Sequence, residues 1–582
     1  MSEATRGTGL TLFGEPAVTV EYDAPCRMRD GAVLRADVYR PAAGGPWPVL
    51  LIRLPYDKTQ AENLSYAHPS WYARRGYLVV SQDCRGCMRS DGAFYPFAHE
   101  AEDGYDTIEW AARLPGSNGK VGMYGFSYAG ATQLLPATLR PPSLTAVVPA
   151  MTGSQYYEGW TYNQGALGLA FAATWAADLA GRVARHDRDD ARMARLGAIL
   201  FSAPSWFGAL PLAAATPLDR ETAPFFFDWL DHPTYDDYWR RWSIDADYGR
   251  VQTPGLHVGG WYDIFLAGTV RNFVGLRAAA GSDEARNLQK LVIGPWFHMP
   301  WAPLDGGQGE PAGPNVVDDW QIAWFDRTLK NRPSARFDAP VTVYVMGEGQ
   351  WRDFGDWPPP EAVPTPWYLH SDGRANSAFG DGALSPAPPG AEPVDVFTYD
   401  PTATTQSQGG QSCCYPFISP MGPADQAPTE QWNGVLVYTS PPLTADLRLV
   451  GDVTATLFAA SSASDTDWTA RLCQVAPDGR STNLKSGIVR ARYRDSLTKP
   501  APLEPNRIYE YEIPLGPIGA RIPAGWRLRL DLGSSDFPQW DRNLNTGGPL
   551  FAAGIADAAV ATQTVLHDAD HPSHVTLPVL PA

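Results

Sequence analysis

Long apolar runs are missing from this 582-residue chain; none reaches the roughly 20 residues that a membrane-spanning helix requires. Its first residues, MSEATRGTGLTLFG, lack the basic start and apolar middle of a secretory leader, so a soluble cytoplasmic protein is expected. Basic residues are in deficit, 46 Lys and Arg against 63 Asp and Glu, for a net charge of −17. A phosphate-binding surface needs clustered cations, so nucleic acid is excluded as a partner, as is a membrane. Cysteine is scarce, six in all, which excludes a disulfide scaffold. Cys84 and Cys87 form a C-x-x-C spacing, and Cys413 and Cys414 are adjacent, but the second pair does not suit a standard Cys-rich zinc site. No H-E-x-x-H occurs. Inert packing thiols and no metal are the expectation.

What the chain has is 55 Gly, 54 Pro and 21 Trp, a composition suited to short strands and tight turns. Near-continuous apolar runs at 48–52 (PVLLI), 77–80 (YLVV), 120–124 (KVGMY), 255–258 (GLHV) and 291–293 (LVI) read as strands of a sheet covered on both faces. Helical spacing of Tyr105, Ile108 and Ala112, and the stretch 128–139, place helices between them, the α/β signature. From about Thr152 to Trp242 the texture is Ala-rich and helical, and strand patterns then return. An α/β core over 1–150 and 249–355, interrupted by an all-helical cap at 151–248, is predicted. Pro358, Pro359 and Pro360 open a linker-like stretch. The alternating segments 435–438, 453–458, 507–513 and 526–532 that follow predict a β-sandwich, a jelly roll, over 356–582.

Between a strand and a helix lies Gly125-Phe126-Ser127-Tyr128-Ala129-Gly130. A serine there sits on a sharp turn, small neighbours at 125 and 129 let strand and helix approach, and the helix amides point at developing negative charge. Ala129 stands where the usual G-x-S-x-G pattern has glycine, and a plain helix N-cap is the competing reading. A serine hydroxyl needs a base and the base an orienting acid, in the chain order Ser, acid, His for this fold. Asp263 follows GLHVGGWY and His298 follows LVIGPWF, each in a loop after a strand. Asp83 and Asp91 precede the serine, the wrong order, and Asp283 and Glu284 lie in a polar turn.

The chain resembles the bacterial cocaine esterase family of hydrolases, relatives of Xaa-Pro dipeptidyl-peptidases, glutaryl-7-aminocephalosporanic acid acylases and α-amino acid ester hydrolases. The resemblance spans nearly the whole chain and is carried by RLPYDK (53–58), QDCRGCMRSDGAF (82–94), EDGYDTIEWAARLPGSNGKVGMYGFSYAG (102–130), GGWYDIF (259–265), IGPWFH (293–298) and the late segment LVYTSPPLTADLRLVGDVTATLFAASSASDTDWTARL. It implies an α/β-hydrolase core, a helical cap and a jelly roll packed against both. It implies Ser127, Asp263 and His298 as triad, with the Tyr56 hydroxyl and the Tyr128 backbone N–H as oxyanion donors. It implies Trp160, Trp175 and Phe265 as walls of an acyl pocket. Glu158 is the nearest candidate for holding a substrate ammonium, but a full acidic cluster is not evident. The Cys413-Cys414-Tyr415 segment falls where a jelly-roll loop approaches the site.

The expected activity is hydrolysis of small, partly apolar carboxylic esters through an acyl-enzyme, with no cofactor. The alternatives are an amidase, acylase or dipeptidyl-peptidase with the same triad, an acyltransferase, and a carbohydrate-binding protein with a vestigial hydrolase domain. The expected partner is a small ester or amide substrate; a homodimer is left open.

Overall fold

A computed structural model describes residues 6–8, 17–59, 65–299, 301, 304 and 316–581. Apart from Arg6–Thr8, the stretch read for a leader lies outside them. The apolar runs form the strands Trp47–Leu54, Leu78–Asp83, Ser117–Phe126, Gly255–Tyr262 and Gln289–Phe297. With Leu144–Ala150 and Val341–Val345 they make a parallel sheet, in the order 78–83, 47–54, 117–126, 144–150, 255–262, 289–297, 341–345. Antiparallel strands extend both edges, Val33–Pro41 beside Leu78–Asp83 and Gln350–Phe354 beside Val341–Val345.

Alternate side chains leave opposite faces of a strand, and here both faces are covered. Val49 and Leu51 pack with Ile108 and Leu134 of the helices Glu100–Ala112 and Tyr128–Ala137. Leu50 and Ile52 pack with Trp324 and Phe325 of the helix Val316–Leu329. This is why the sequence shows apolar runs rather than alternation.

Strands Leu144–Ala150 and Gly255–Tyr262 are sheet neighbours although a hundred residues separate them, so the intervening segment is an insertion. It carries the helices Leu169–His186, Asp190–Phe201 and Pro224–Asp231 with shorter turns of helix. The expectation of an all-helical cap is corrected: Tyr162–Asn163 pairs with Ala166–Leu167 in a small hairpin. Gln164 and Gly165 both take positive φ, 45° and 84°, which matches the twist of a two-residue hairpin turn.

The proline stretch is no free linker. Trp357 beside it is 3% exposed and packs near Trp261, at 6.2 Å between rings. Beyond it, strands from Val363–His370 to His574–Val579 form a mostly antiparallel ladder of eleven strands among the described residues. Leu449, Leu457, Leu472, Ile513, Leu530 and Val575 fill one core, giving a β-sandwich. It touches both other parts: Lys485 Nζ donates to the Trp261 carbonyl (2.6 Å), and Ala170 N to the Pro538 carbonyl (3.0 Å). No helix of the described residues is long and apolar enough to cross a membrane.

Candidate active site

The strand Ser117–Phe126 passes into the helix Tyr128–Ala137 through a single residue, Ser127, at φ 60° and ψ −125°. For a residue with a Cβ this region costs about 1–3 kcal/mol and persists only where the surroundings enforce it. Ser127 N donates to the Ala150 carbonyl (2.9 Å), and the Ser127 carbonyl accepts from Gly130 N (2.9 Å) and Ala131 N (3.2 Å). Its side chain makes no capping bond, so the helix-cap reading fails. Gly125 has φ 144°, and a Cβ there would lie 2.6 Å from Ala129 Cβ. A Cβ on Gly130 would meet Thr152 at 2.7 Å. The motif therefore tolerates Ala129 because Gly125 leaves room for its methyl, and Gly130 provides a second close approach, to Thr152.

Strand register brings acid and base together. Tyr262 pairs with Phe297 across neighbouring parallel strands, so the next residues, Asp263 and His298, emerge side by side at the carboxyl ends. His298 Nδ1 lies 2.6 Å from Asp263 Oδ1, and Nε2 lies 3.0 Å from Ser127 Oγ. A carboxylate accepts only, so Nδ1 carries the proton and Nε2 presents its lone pair to the serine hydroxyl. All three are buried: Ser127 is 8% exposed, His298 2% and Asp263 0%. Asp263 does not cap the following helix Leu266–Ala279, whose cap position is Phe265. Asp83 and Asp91 instead accept the backbone amides of Lys58 and Val33.

The Tyr56 hydroxyl accepts from Trp175 Nε1 at 3.1 Å, which leaves its own proton free to be donated. Burial pushes its ionisation upward, so it stays a neutral donor. Arg182 fixes it, donating to the Tyr56 carbonyl (2.8 Å) with its guanidinium 5.0 Å from the ring centre. The Tyr128 hydroxyl is engaged elsewhere, donating to Glu100 Oε1 (2.9 Å) and accepting from Phe97 N (2.9 Å). Its backbone N–H, first in its helix, has no acceptor within that helix.

The three aromatics expected at the site are joined to one another and to the histidine. Phe265 meets His298 edge-on at 4.9 Å and stacks on Trp160 at 4.0 Å; Trp160 abuts Trp175 at 5.4 Å. They are 0%, 2% and 5% exposed, so only part of each can face a ligand. Phe97, Tyr156 and Phe171 complete the cluster and were not anticipated. Phe171 and Trp175, four apart in one helix, were a usable signal.

Glu158 accepts from Gln164 N (2.9 Å) and Gln164 Nε2 (3.2 Å), and lines a cleft of about 310 Å³ with Arg271 and Gln411. One further acid, Glu512, lines the same cleft. The Cys84 and Cys87 thiols are buried, which raises their ionisation far above the ordinary range and makes them unreactive at neutral pH. Cys413 and Cys414 differ: they are joined as a disulfide, and their sulfurs and a ring nitrogen of His298 lie within 4.8 Å of one another.

Residues 30–300 match the model of the X-Pro dipeptidyl-peptidase (S15) family, and residues 336–576 that of the X-Pro dipeptidyl-peptidase C-terminal non-catalytic domain. The chain is 37% identical to a cocaine esterase of Rhodococcus sp. (strain MB1 Bresler), over 95% of this chain and 97% of that protein. A crystal structure of an aminopeptidase from a marine sediment archaeon, Thaumarchaeota archaeon, superposes with TM-score 0.81 and 27% identity, covering 99% and 97% of the two chains. An α-amino acid ester hydrolase structure shares the fold, with TM-score 0.79 and 24% identity over 98% of each chain.

Proposed function

Because this chain belongs to the cocaine esterase-like hydrolases of the X-Pro dipeptidyl-peptidase (S15) family, we propose that it is a serine esterase whose nucleophile is Ser127. The observation that carries this reading is the line Ser127 Oγ, His298 Nε2, His298 Nδ1, Asp263 Oδ1, with gaps of 3.0 and 2.6 Å, on a turn held at φ 60°. As Ser127 attacks the ester carbonyl, His298 takes its proton, and Asp263 holds the imidazole tautomer and stabilises the imidazolium. The Tyr56 hydroxyl and the Tyr128 N–H stabilise the oxyanion. His298 then protonates the leaving alcohol. Water, activated by the same imidazole, attacks the acyl-enzyme and frees the acid.

The substrate class is an ester of a small, partly apolar acid, supported by the wall of Trp160, Trp175 and Phe265 beside His298. An amine-terminal substrate is the second reading, favoured by likeness to the archaeal aminopeptidase. The Arg271 guanidinium, which shares the cleft with Glu158 and Glu512 and would repel an ammonium, speaks against it. Intact-mass measurement after a fluorophosphonate probe, with the site mapped, is expected to find one label on Ser127 and none in Ser127→Ala. Labelling elsewhere, or full turnover by the variant, would refute the assignment. Parallel rates on aryl esters and Xaa-Pro anilides separate the two substrate classes.

A further inference from the structure

The loop 410–422 of the β-sandwich reaches into the catalytic centre. Gly410 and Gly422 close its neck with reciprocal N–H to carbonyl bonds of 2.8 Å each. Ser412 pairs with Asp263 as an isolated bridge, next to the catalytic acid's own backbone. At its outer side Phe417 stacks on Phe201 of the cap, 6.1 Å between rings. The loop is thus pinned at neck, inner edge and tip, and Cys413 and Cys414 stand between these points. Cys413 is 2% exposed, while Cys414 is partly open and held at φ 76°.

We propose that these two cysteines, once reduced, form with His298 an inhibitory binding site for a soft divalent cation of the zinc class. A dithiol reductant supplies two electrons and two protons, the S–S bond opens to two thiols, and the reductant leaves as its own disulfide. The cation then displaces the two thiol protons to solvent and gains two thiolate ligands. The third ligand is the Nε2 lone pair, since Nδ1–H is engaged by Asp263 at 2.6 Å. A histidine whose far nitrogen donates to a carboxylate is the arrangement that orients imidazole toward zinc.

Sulfur and nitrogen ligands about a tetrahedral zinc ion lie roughly 3.5–3.8 Å apart. The two sulfurs and a ring nitrogen of His298 lie within 4.8 Å of one another, so ligation takes an approach of sulfur to imidazole of about an ångström and a parting of the two sulfurs once their bond is opened. The fourth position falls to water or to the Ser127 hydroxyl, 3.0 Å from the same nitrogen. The cation occupies the lone pair that would take the serine proton, so binding stops acylation. With the disulfide formed, no thiolate is available and the base is free. The enzyme is then active when oxidised and cation-sensitive when reduced, the state a reducing compartment maintains. Linear sequence hides the site because its ligands come from two domains, at 298 and at 413–414.

The proposal rests on His298 being the catalytic base, and its test separates the two ideas. Full-length protein treated with a phosphine reductant, which is converted to its oxide, is dialysed against zinc ion alongside oxidised protein. Bound zinc and aryl-ester turnover are both measured. Reduced protein is expected to hold about one more equivalent of zinc than oxidised protein and to lose at least tenfold in kcat/KM. Cys413→Ser/Cys414→Ser, whatever its basal rate, is expected to show the same rate with and without zinc and to lack the extra equivalent. Equal zinc content in reduced wild type and the double variant, or extra zinc without inhibition, overturns the proposal. His298→Ala with undiminished turnover overturns its catalytic premise instead.

Discussion

Replacing Tyr56 with phenylalanine removes one oxygen atom that has two neighbours to serve. On one side it accepts the Trp175 indole N–H at 3.1 Å. On the other its proton is free, and its proposed use is donation to the oxyanion. Removing one oxyanion donor in comparable sites lowers kcat by about 10²–10³, or roughly 3–4 kcal/mol. The indole, on a residue 5% exposed, loses its acceptor, which is expected to cost about 1–3 kcal/mol of stability. These two losses separate experimentally. The oxyanion exists only after attack, so kcat on an aryl ester should fall 100- to 1000-fold with KM nearly unchanged. Urea unfolding should report a lower midpoint while the assay population stays folded. Trp175→Phe is the comparison: it keeps the phenol and an aromatic ring at 175 while removing the polarising donor, so its kcat should fall less than tenfold. If Tyr56→Phe retains kcat within about threefold of wild type, the phenol is a wall residue and the oxyanion argument is wrong.

Gly125→Ala places a Cβ 2.6 Å from Ala129 at a backbone φ of 144° that alanine resists. Overpacking and strain together should destabilise the fold by about 2–4 kcal/mol; a urea midpoint unchanged from wild type would contradict the close-approach argument. Lys485 is buried beneath the active-site strand, and burial lowers its ionisation from 10.5 to about 7 although Asp263 and Asp452 oppose this. Between those values the unfolded chain holds a proton that the folded chain has released, so stability attributable to this group rises with pH across pH 7 to 10.5. The difference in unfolding free energy between wild type and Lys485→Met should therefore climb by up to about 1.4 kcal/mol per pH unit between pH 7.5 and 9.5. A flat difference would show that the amine stays charged.

Local patterns carried much of the architecture. Runs such as 48–52 and 255–258 were legible because a strand covered on both faces has no polar side to break the run. The serine turn was legible because small residues and a strand-to-helix change are features of neighbours in the chain. Asp263 and His298 were legible by order, each one residue past a strand. The hairpin at 162–167 escaped because its strands are two residues long and its turn is Gln-Gly rather than a common hairpin pair. The proline stretch at 358–360 was taken for a spacer because composition does not reveal that the adjacent Trp357 is buried.

By itself the sequence determined the order of strands and helices, the turn at Ser127 and the identity of its two partners, since these depend on side-chain spacing within a few residues. Only the tertiary structure decided the rest. The pairing of Tyr262 with Phe297 sets Asp263 beside His298, the cap brings Trp175 to the Tyr56 hydroxyl, and the β-sandwich carries Cys413 and Cys414 to the His298 imidazole. Each of these is a contact between residues 35 or more apart in the chain, set by which surfaces pack together rather than by any local preference.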